Sequence, residues 1–143
     1  MIILKNLFQF AVSLSDLVHI YTLYIRSVLE QSAVVWHSSL TKGEEMDLER
    51  VQKVALKIIL GDGYSSYSEA LESTGLETLR SRREKLCLTF AKNCLKSNLT
   101  RDMFPKNVVP VTTRGHEKFQ VPFARTERLA KSAIPFMARL LNQ

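Results

Sequence analysis

Only two cysteines, Cys87 and Cys94, occur in 143 residues. They are too few for a disulfide framework or for a zinc site built on cysteines, and that usage fits a reducing intracellular location. Catalytic signatures are missing as well. The sequence holds no G-x-x-x-x-G-K-S/T, G-x-G-x-x-G, H-E-x-x-H or G-x-S-x-G. Phosphate-cradling loops, dinucleotide folds, zinc proteases and nucleophile elbows are thereby set aside. The three histidines, His19, His37 and His116, are scattered without the local spacing of a metal-ligand pair. No repeat or low-complexity tract interrupts the chain. Leu17 to Trp36 is long enough to span a bilayer, but Asp16, His19, Arg26 and Glu30 lie at or inside its limits, each costly in hydrocarbon. Met1 to Leu14 opens apolar, yet it has only Lys5 as a positive charge and no small-residue cleavage site after a clean apolar block.

What is present is apolar content and positive charge. Hydrophobic residues make up 45%, enough to bury a core and to exclude wholesale disorder. The length allows one domain or little more. The net charge is +6 and the pI near 9.5, but the charge is unevenly spread. Residues 1–75 carry six basic and nine acidic side chains, net −3, and residues 76–143 carry fourteen and five, net +9. A polyanion would meet the second half, where surface charge attracts phosphate with little regard to sequence. A basic pI that merely keeps a small domain soluble accounts for the bare number equally well.

The apolar spacing predicts an all-α fold, a small bundle of about four to five helices with an irregular, Pro-containing basic C-terminal segment. Ile2 to Phe10 reads as a short helix. Ser15 is the expected N-cap of the next, whose stripe runs Leu17, Val18, Tyr21, Tyr24, Ile25, Val28, Leu29, Ser32 and Val35–Trp36 at three- and four-residue intervals. It should stop near His37–Ser39. Thr41 with Glu44 forms a T-x-x-E capping box, followed by the stripe Leu48, Val51, Val54–Ala55 and Ile58–Ile59, with Glu49, Arg50, Lys53 and Lys57 facing water. Gly61 suits the C′ position that ends it. Ser66 with Glu69 opens a short helix, Tyr67 to Ser73, closed by Gly75. Thr78 caps Leu79 to about Ser97, with Leu79, Leu86–Cys87, Phe90–Ala91 and Cys94–Leu95 pointing inward. Pro105, Pro110 and Pro122 break up residues 99–125, with Val108 to Thr113 extended at best. A last helix, Arg128 to Leu141, must be kinked or started by Pro135. The domain reading is 1–97 as bundle and 98–143 as basic tail.

No catalytic centre is visible, so binding residues are sought instead. Arg80, Arg82, Arg83 and Lys85 crowd the first turns of their helix, where the dipole disfavours cations, and are the best phosphate-contact candidates. A solvated face explains them equally well. Arg26, on an otherwise apolar helix, is placed either to pair with Glu30 at i,i+4 or to reach a phosphate. Arg114, Lys118, Arg125, Arg128 and Lys131 lie on the Pro-interrupted tail with Phe119 and Phe123 between them, a mixture suited to single-stranded backbone and base stacking. The same phenylalanines would equally pack on the helices. Trp36 ends an apolar stripe and reads as a core anchor rather than a stacking platform. The candidate core is Tyr21, Ile25, Leu29, Trp36, Val51, Ile58, Leu86 and Phe90. Cys87 and Cys94, seven apart on one helix, read as small core residues.

The run from Ile20 to Glu30, Ile-Tyr-Thr-Leu-Tyr-Ile-Arg-Ser-Val-Leu-Glu, followed by Ala33-Val-Val-Trp36-His37, resembles a segment downstream of the polymerase core in non-LTR (LINE-type) retrotransposon reverse transcriptases. The usual pattern there is I-Y-x-x-x-I-R-P-x-L-E-Y-x-x-x-V-W. Ser27 stands here for the Pro and Gln31 for the Tyr. The resemblance continues through Ser39 to Lys42, Leu48 to Lys53, Ala55 to Gly61 and Tyr67 to Leu71. It runs on through Leu76 to Leu79, Arg82-Arg83 and Leu86-Cys87, and ends on Arg125 to Arg128, Ser132 to Pro135 and Arg139 to Asn142. It covers nearly the whole chain through short pieces in order.

The resemblance implies a place in a larger enzyme, as the helical thumb and post-polymerase region that contacts the template–primer duplex. Reverse transcription needs paired aspartates in an F/Y-x-D-D turn that hold two Mg²⁺ ions. This sequence has no adjacent aspartates, and neither a palm nor an endonuclease domain is recognisable in it. It is therefore expected to be no enzyme by itself and to need no cofactor, Mg²⁺ belonging to the palm of a full-length protein. Its implied partners are RNA or an RNA–DNA duplex, bound without sequence preference, and the palm of the parent polymerase. The family's chemistry on chromosomal DNA implies a nuclear place of action. Two other readings stand beside this one. One is a helical protein-interaction or self-associating module, and the other is a decayed transposon reading frame with no selected function.

Overall fold

The computed structural model describes residues 2, 6, 12–107 and 118–143. The protein is all-α. In chain order the helices are α1 (Leu14–Ile20), α2 (Ser27–Glu30), α3 (Ala33–Trp36), α4 (Lys42–Leu60), α5 (Tyr67–Thr74), α6 (Leu79–Lys96), α7 (Glu127–Ala130) and α8 (Ala133–Leu141). A π-helical stretch, Tyr21–Arg26, joins α1 to α2, and 3₁₀ turns span His37–Ser39, Gly61–Gly63 and Arg101–Met103. Among the described residues there is no strand, only an isolated antiparallel bridge between Lys106 and Phe119. None of the described helices is long and apolar enough to cross a membrane.

Local chemistry explains most boundaries. At α4 the Thr41 hydroxyl accepts from the Glu44 N–H while the Glu44 carboxylate accepts from the Thr41 N–H at 2.8 Å, a complete capping box. These hydrogen bonds hold the Glu44 carboxyl below its ordinary pKa. Ser66 caps α5 through the Glu69 N–H, and the Thr78 hydroxyl accepts from the Ser81 N–H at the start of α6. Gly75 closes α5 in the left-handed region (φ 66°), and Gly61 ends α4 at φ 52°, values that disfavour any side chain with a Cβ. Pro135 is the third residue of α8, inside the first turn where a missing N–H costs nothing. The α1 cap is Ser13, bonded to Asp16, and not Ser15, because Asp16 supplies the answering carboxylate. Of the expected helix Ile2–Phe10, Ile2 and Asn6 are helical and the other residues lie outside the described set. The extended segment expected over Val108–Thr113 lies outside it entirely.

The chain divides into two compact units, residues 1–31 with 41–82, and residues 32–40 with 83–143. This replaces the expected division after residue 97. The single helix expected from Leu17 to Trp36 is broken at Ser32, whose φ of 54° is left-handed and halts helical propagation. Before that break the Thr22 and Ser27 hydroxyls bond the carbonyls of His19 and Leu23, competing with the backbone ladder at both ends of the π-helical stretch. The wider π turn changes the register of the apolar stripe. Tyr21 is fully buried and Ile25 packs beside it, but Tyr24, Val28 and, beyond the break, Val35 are exposed rather than inward.

In the first unit, α1 packs on α4, and Leu17, Tyr21, Ala55 and Ile59 form a core bordered by Ile25, Ile58 and Leu76. Each fully buried Leu or Ile contributes roughly 2 kcal/mol. Leu29 and Val51 are half-buried. In the second unit, α8 packs on α3 and on the 3₁₀ turn His37–Ser39. Cys87, Ala91, Cys94, Phe104, Met137 and Ala138 form its core. The segment beyond residue 97 is therefore a supplier of core side chains, not a tail. The Asn142 amide fastens it further, accepting from the Phe119 N–H at 2.9 Å and donating to the Phe119 carbonyl at 3.0 Å.

On α6 the buried line is Leu79, Arg83, Cys87, Ala91 and Cys94, at steps of four, four, four and three. Leu86 is half-buried and Phe90 is 43% exposed. The expectation that Phe90 belongs to the core is thus corrected. Ala91 is fully buried, while Phe90 lies to the side of that line and is left partly in solvent.

Candidate nucleic-acid interface

The ten candidate cations separate by what surrounds them. Arg83 is completely buried and cannot meet a phosphate, which overturns its place in the candidate interface. Its Nε–H donates to His37 Nδ1 at 3.3 Å and its guanidinium lies 5.8 Å from the Trp36 ring centroid. His37 is itself buried and meets Phe136 edge-on at 5.4 Å. Trp36 is half-buried and forms one wall around a buried cation. The physical reason lies in the helix: Arg83 falls on the buried line between Leu79 and Cys87.

In the first unit the remaining cations are turned to acids. Arg82 Nε contacts both Glu30 carboxylate oxygens, at 3.1 and 3.3 Å, and Arg26 Nε approaches the same carboxylate at 3.8 Å. Glu30 is only 11% exposed at its side chain, so these arginines fasten α2 to the start of α6 instead of presenting a free charge. Arg80 is 64% exposed and lies 3.5 Å from Glu45.

The second unit differs. Lys118, Arg125 and Arg128 are exposed and form no ion pair among the described residues. Lys85 is exposed on α6. Lys131 pairs with Glu127, whose carboxyl is held below its ordinary pKa by that hydrogen bond and charge. Arg114 lies outside the described residues. Of the two interleaved aromatics, Phe119 is half-buried at the Asn142 clamp, while Phe123 is 85% exposed and open to stacking. Two further exposed cations, Arg101 and Lys106, are absent from the sequence-derived candidates, and neither forms an ion pair among the described residues. They line a groove of about 880 Å³ with Leu95, Phe104 and Phe119. Their signal in the sequence is faint, two isolated cations on either side of a phenylalanine.

The first unit also carries a groove, of about 530 Å³, but its charges oppose one another: Glu45, Asp47 and Glu49 against Arg50, Lys53 and Arg80. Glu49 was expected to face water. Instead it is half-buried and accepts from the Tyr67 hydroxyl and from the Leu79 N–H. Behind it, Gln52 is completely buried, accepting from the Tyr21 hydroxyl at 2.7 Å and donating to Tyr67 Oη and the Glu77 carbonyl at 2.9 Å each. Burial is the main cause that raises the Tyr21 and Tyr67 phenols above their ordinary pKa, with the Glu49 carboxylate adding to both. Every polar atom of Gln52 is satisfied, so this network orders the unit and offers no open chemistry. No cluster of His, Cys, Asp and Glu among the described residues is arranged to hold a metal.

No protein-family model, curated protein or solved structure matches the chain.

Proposed function

We propose that this chain is a non-catalytic helical module of the thumb and post-polymerase kind found in LINE-type reverse transcriptases, and that it grips nucleic acid with its second unit. The observation that supports this reading is the segregation of charge. The first unit has eight basic and ten acidic side chains, net −2, and the second has twelve and four, net +8. Lys118, Arg125 and Arg128 of the second unit also stand exposed without an ion pair among the described residues, whereas Arg26 and Arg82 of the first are turned to the Glu30 carboxylate and Arg80 lies beside Glu45. The mechanism is backbone electrostatics. Lysines and arginines displace condensed counterions from an RNA strand or RNA–DNA duplex and hold it without reading bases. In this reading the module contributes grip to a polymerase, and the chemistry belongs to another domain.

Binding of the full chain to a fluorescent RNA–DNA duplex tests it directly. Affinity should fall by about a hundredfold or more between 50 and 200 mM salt, with little change between sequences. An affinity that is flat over that range overturns the proposal.

One observation favours a second reading, that of a protein-interaction module. Leu23, Tyr24 and Val28 on the first unit are each about two-thirds exposed and close in sequence, a cluster of the type that marks association surfaces. Light scattering separates the two. A monomer that binds RNA supports nucleic-acid grip, and a stable oligomer indifferent to RNA supports the alternative.

A further inference from the structure

The groove of the second unit has a divided chemistry. Its floor is apolar, made by Leu95, Phe104 and Phe119, with Pro105 beside them. Phe104 is fully buried and belongs to the core, so this floor is fixed in place by packing. At its edge stand Arg101 and Lys106, exposed and without an ion pair among the described residues. Asp102 is the one acid in its lining. The position is anchored on both sides. The Gln120 N–H donates to the Pro105 carbonyl at 2.8 Å, the Asn107 N–H donates to the Lys118 carbonyl at 3.1 Å, and Asn142 clamps Phe119.

A phosphate does not belong on that floor, where no donor would replace its water, and Asp102 would repel it. The two edge cations, in contrast, attract phosphate. A ligand with a flat apolar body and anionic groups on either side satisfies both regions, and about 880 Å³ lies within the range of small-ligand pockets. We infer that this groove receives one unstacked base of a single-stranded nucleic acid, with its neighbouring phosphates at Arg101 and Lys106. Asp102 is then placed to accept from an exocyclic amino group of the base. A duplex cannot fill the floor, because its bases remain stacked and paired inside it. The inference rests on the reading that the second unit meets nucleic acid, and it adds a single-strand site distinct from a duplex grip.

The test uses the full chain at low salt with three probes of equal length. They are an oligo(dC) strand, the same strand carrying abasic units at its centre, and an RNA–DNA duplex. The intact strand should bind about tenfold more tightly than the abasic one, the size of one base-stacking contact. The double substitution Arg101→Ala with Lys106→Ala should cost the oligo(dC) strand about tenfold and the duplex less than about threefold. Equal affinity for intact and abasic strands overturns the base site, while salt-dependent duplex binding would leave the parent reading standing. No binding of any probe at low salt overturns both.

Discussion

The two units of this protein handle their charges in opposite ways. In the first, the arginines pair with acids of the same unit: Arg26 and Arg82 with Glu30, Arg80 with Glu45 and Arg50 with Asp47. Lys53 and Lys57 lie over the rings of Tyr67 and Tyr64. Its buried polar residue, Gln52, is neutral and fully hydrogen-bonded. In the second unit a guanidinium is buried against an imidazole and an indole, and Arg101, Lys106, Lys118, Arg125 and Arg128 remain outward without ion pairs among the described residues. The first unit uses its cations to hold itself together. The second has few acids to set against them, and its exposed charge is what the proposed nucleic-acid grip would use.

Paired substitutions in the two units separate buried side chains from outward ones. Arg83→Ala should have the largest effect on stability, about 3 kcal/mol, since it empties a fully buried site and removes the hydrogen bond to His37 Nδ1. Arg125→Ala, on the surface of the same unit, should cost less than about 0.5 kcal/mol. Equal costs in urea unfolding would contradict the division between structural and outward cations.

Tyr21→Phe comes next. It strips the donor from Gln52 Oε1 in a fully buried site and should cost about 1–2 kcal/mol, whereas Tyr24→Phe, on an exposed ring, should be near neutral. Thr41→Ala should cost about 1 kcal/mol through loss of the α4 cap.

A last effect is alkaline. Burial pushes the Cys87 thiol up to about 11 from 9.0, and it raises Tyr21 and Tyr67 from 10.0. A group whose pKa is raised by folding stabilises fully below its unfolded value, and that stabilisation is lost as pH rises towards its folded value. Stability should therefore hold up to about pH 9, soften first through Cys87 and then fall more steeply above pH 10 through the tyrosines. Cys87→Ala should abolish the first step of the denaturation midpoint and leave the second.

Much of the first unit was legible because its signals are local. The Thr41–Glu44 box, the Ser66 and Thr78 caps, and the glycines at 61 and 75 each act within four residues, and each marks the boundary expected of it. Ser32 was not legible, since a left-handed serine has no sequence signature. The burial of Arg83 could have been found. Leu79, Cys87, Ala91 and Cys94 already define a line on α6, and Arg83 lies on it. Its charge type, beside Arg80, Arg82 and Lys85, concealed a position fixed by helical geometry, and its partners His37 and Trp36 are remote in sequence. Phe90, by contrast, lies to the side of that line and is 43% exposed. The groove at Arg101 and Lys106 was hidden because its floor joins Leu95, Phe104 and Phe119, which only the folded chain brings together.

The most direct test of the account compares two triple charge reversals at fixed low salt. In one, Lys118, Arg125 and Arg128 of the second unit become Glu; in the other, Lys42, Arg50 and Lys57 of the first unit do. Both change the net charge of the protein by the same amount. Affinity for an RNA–DNA duplex should fall by about a hundredfold in the first variant and by less than about threefold in the second. Equal losses, or no loss in the second-unit variant, would contradict the claim that this unit is the one that grips nucleic acid.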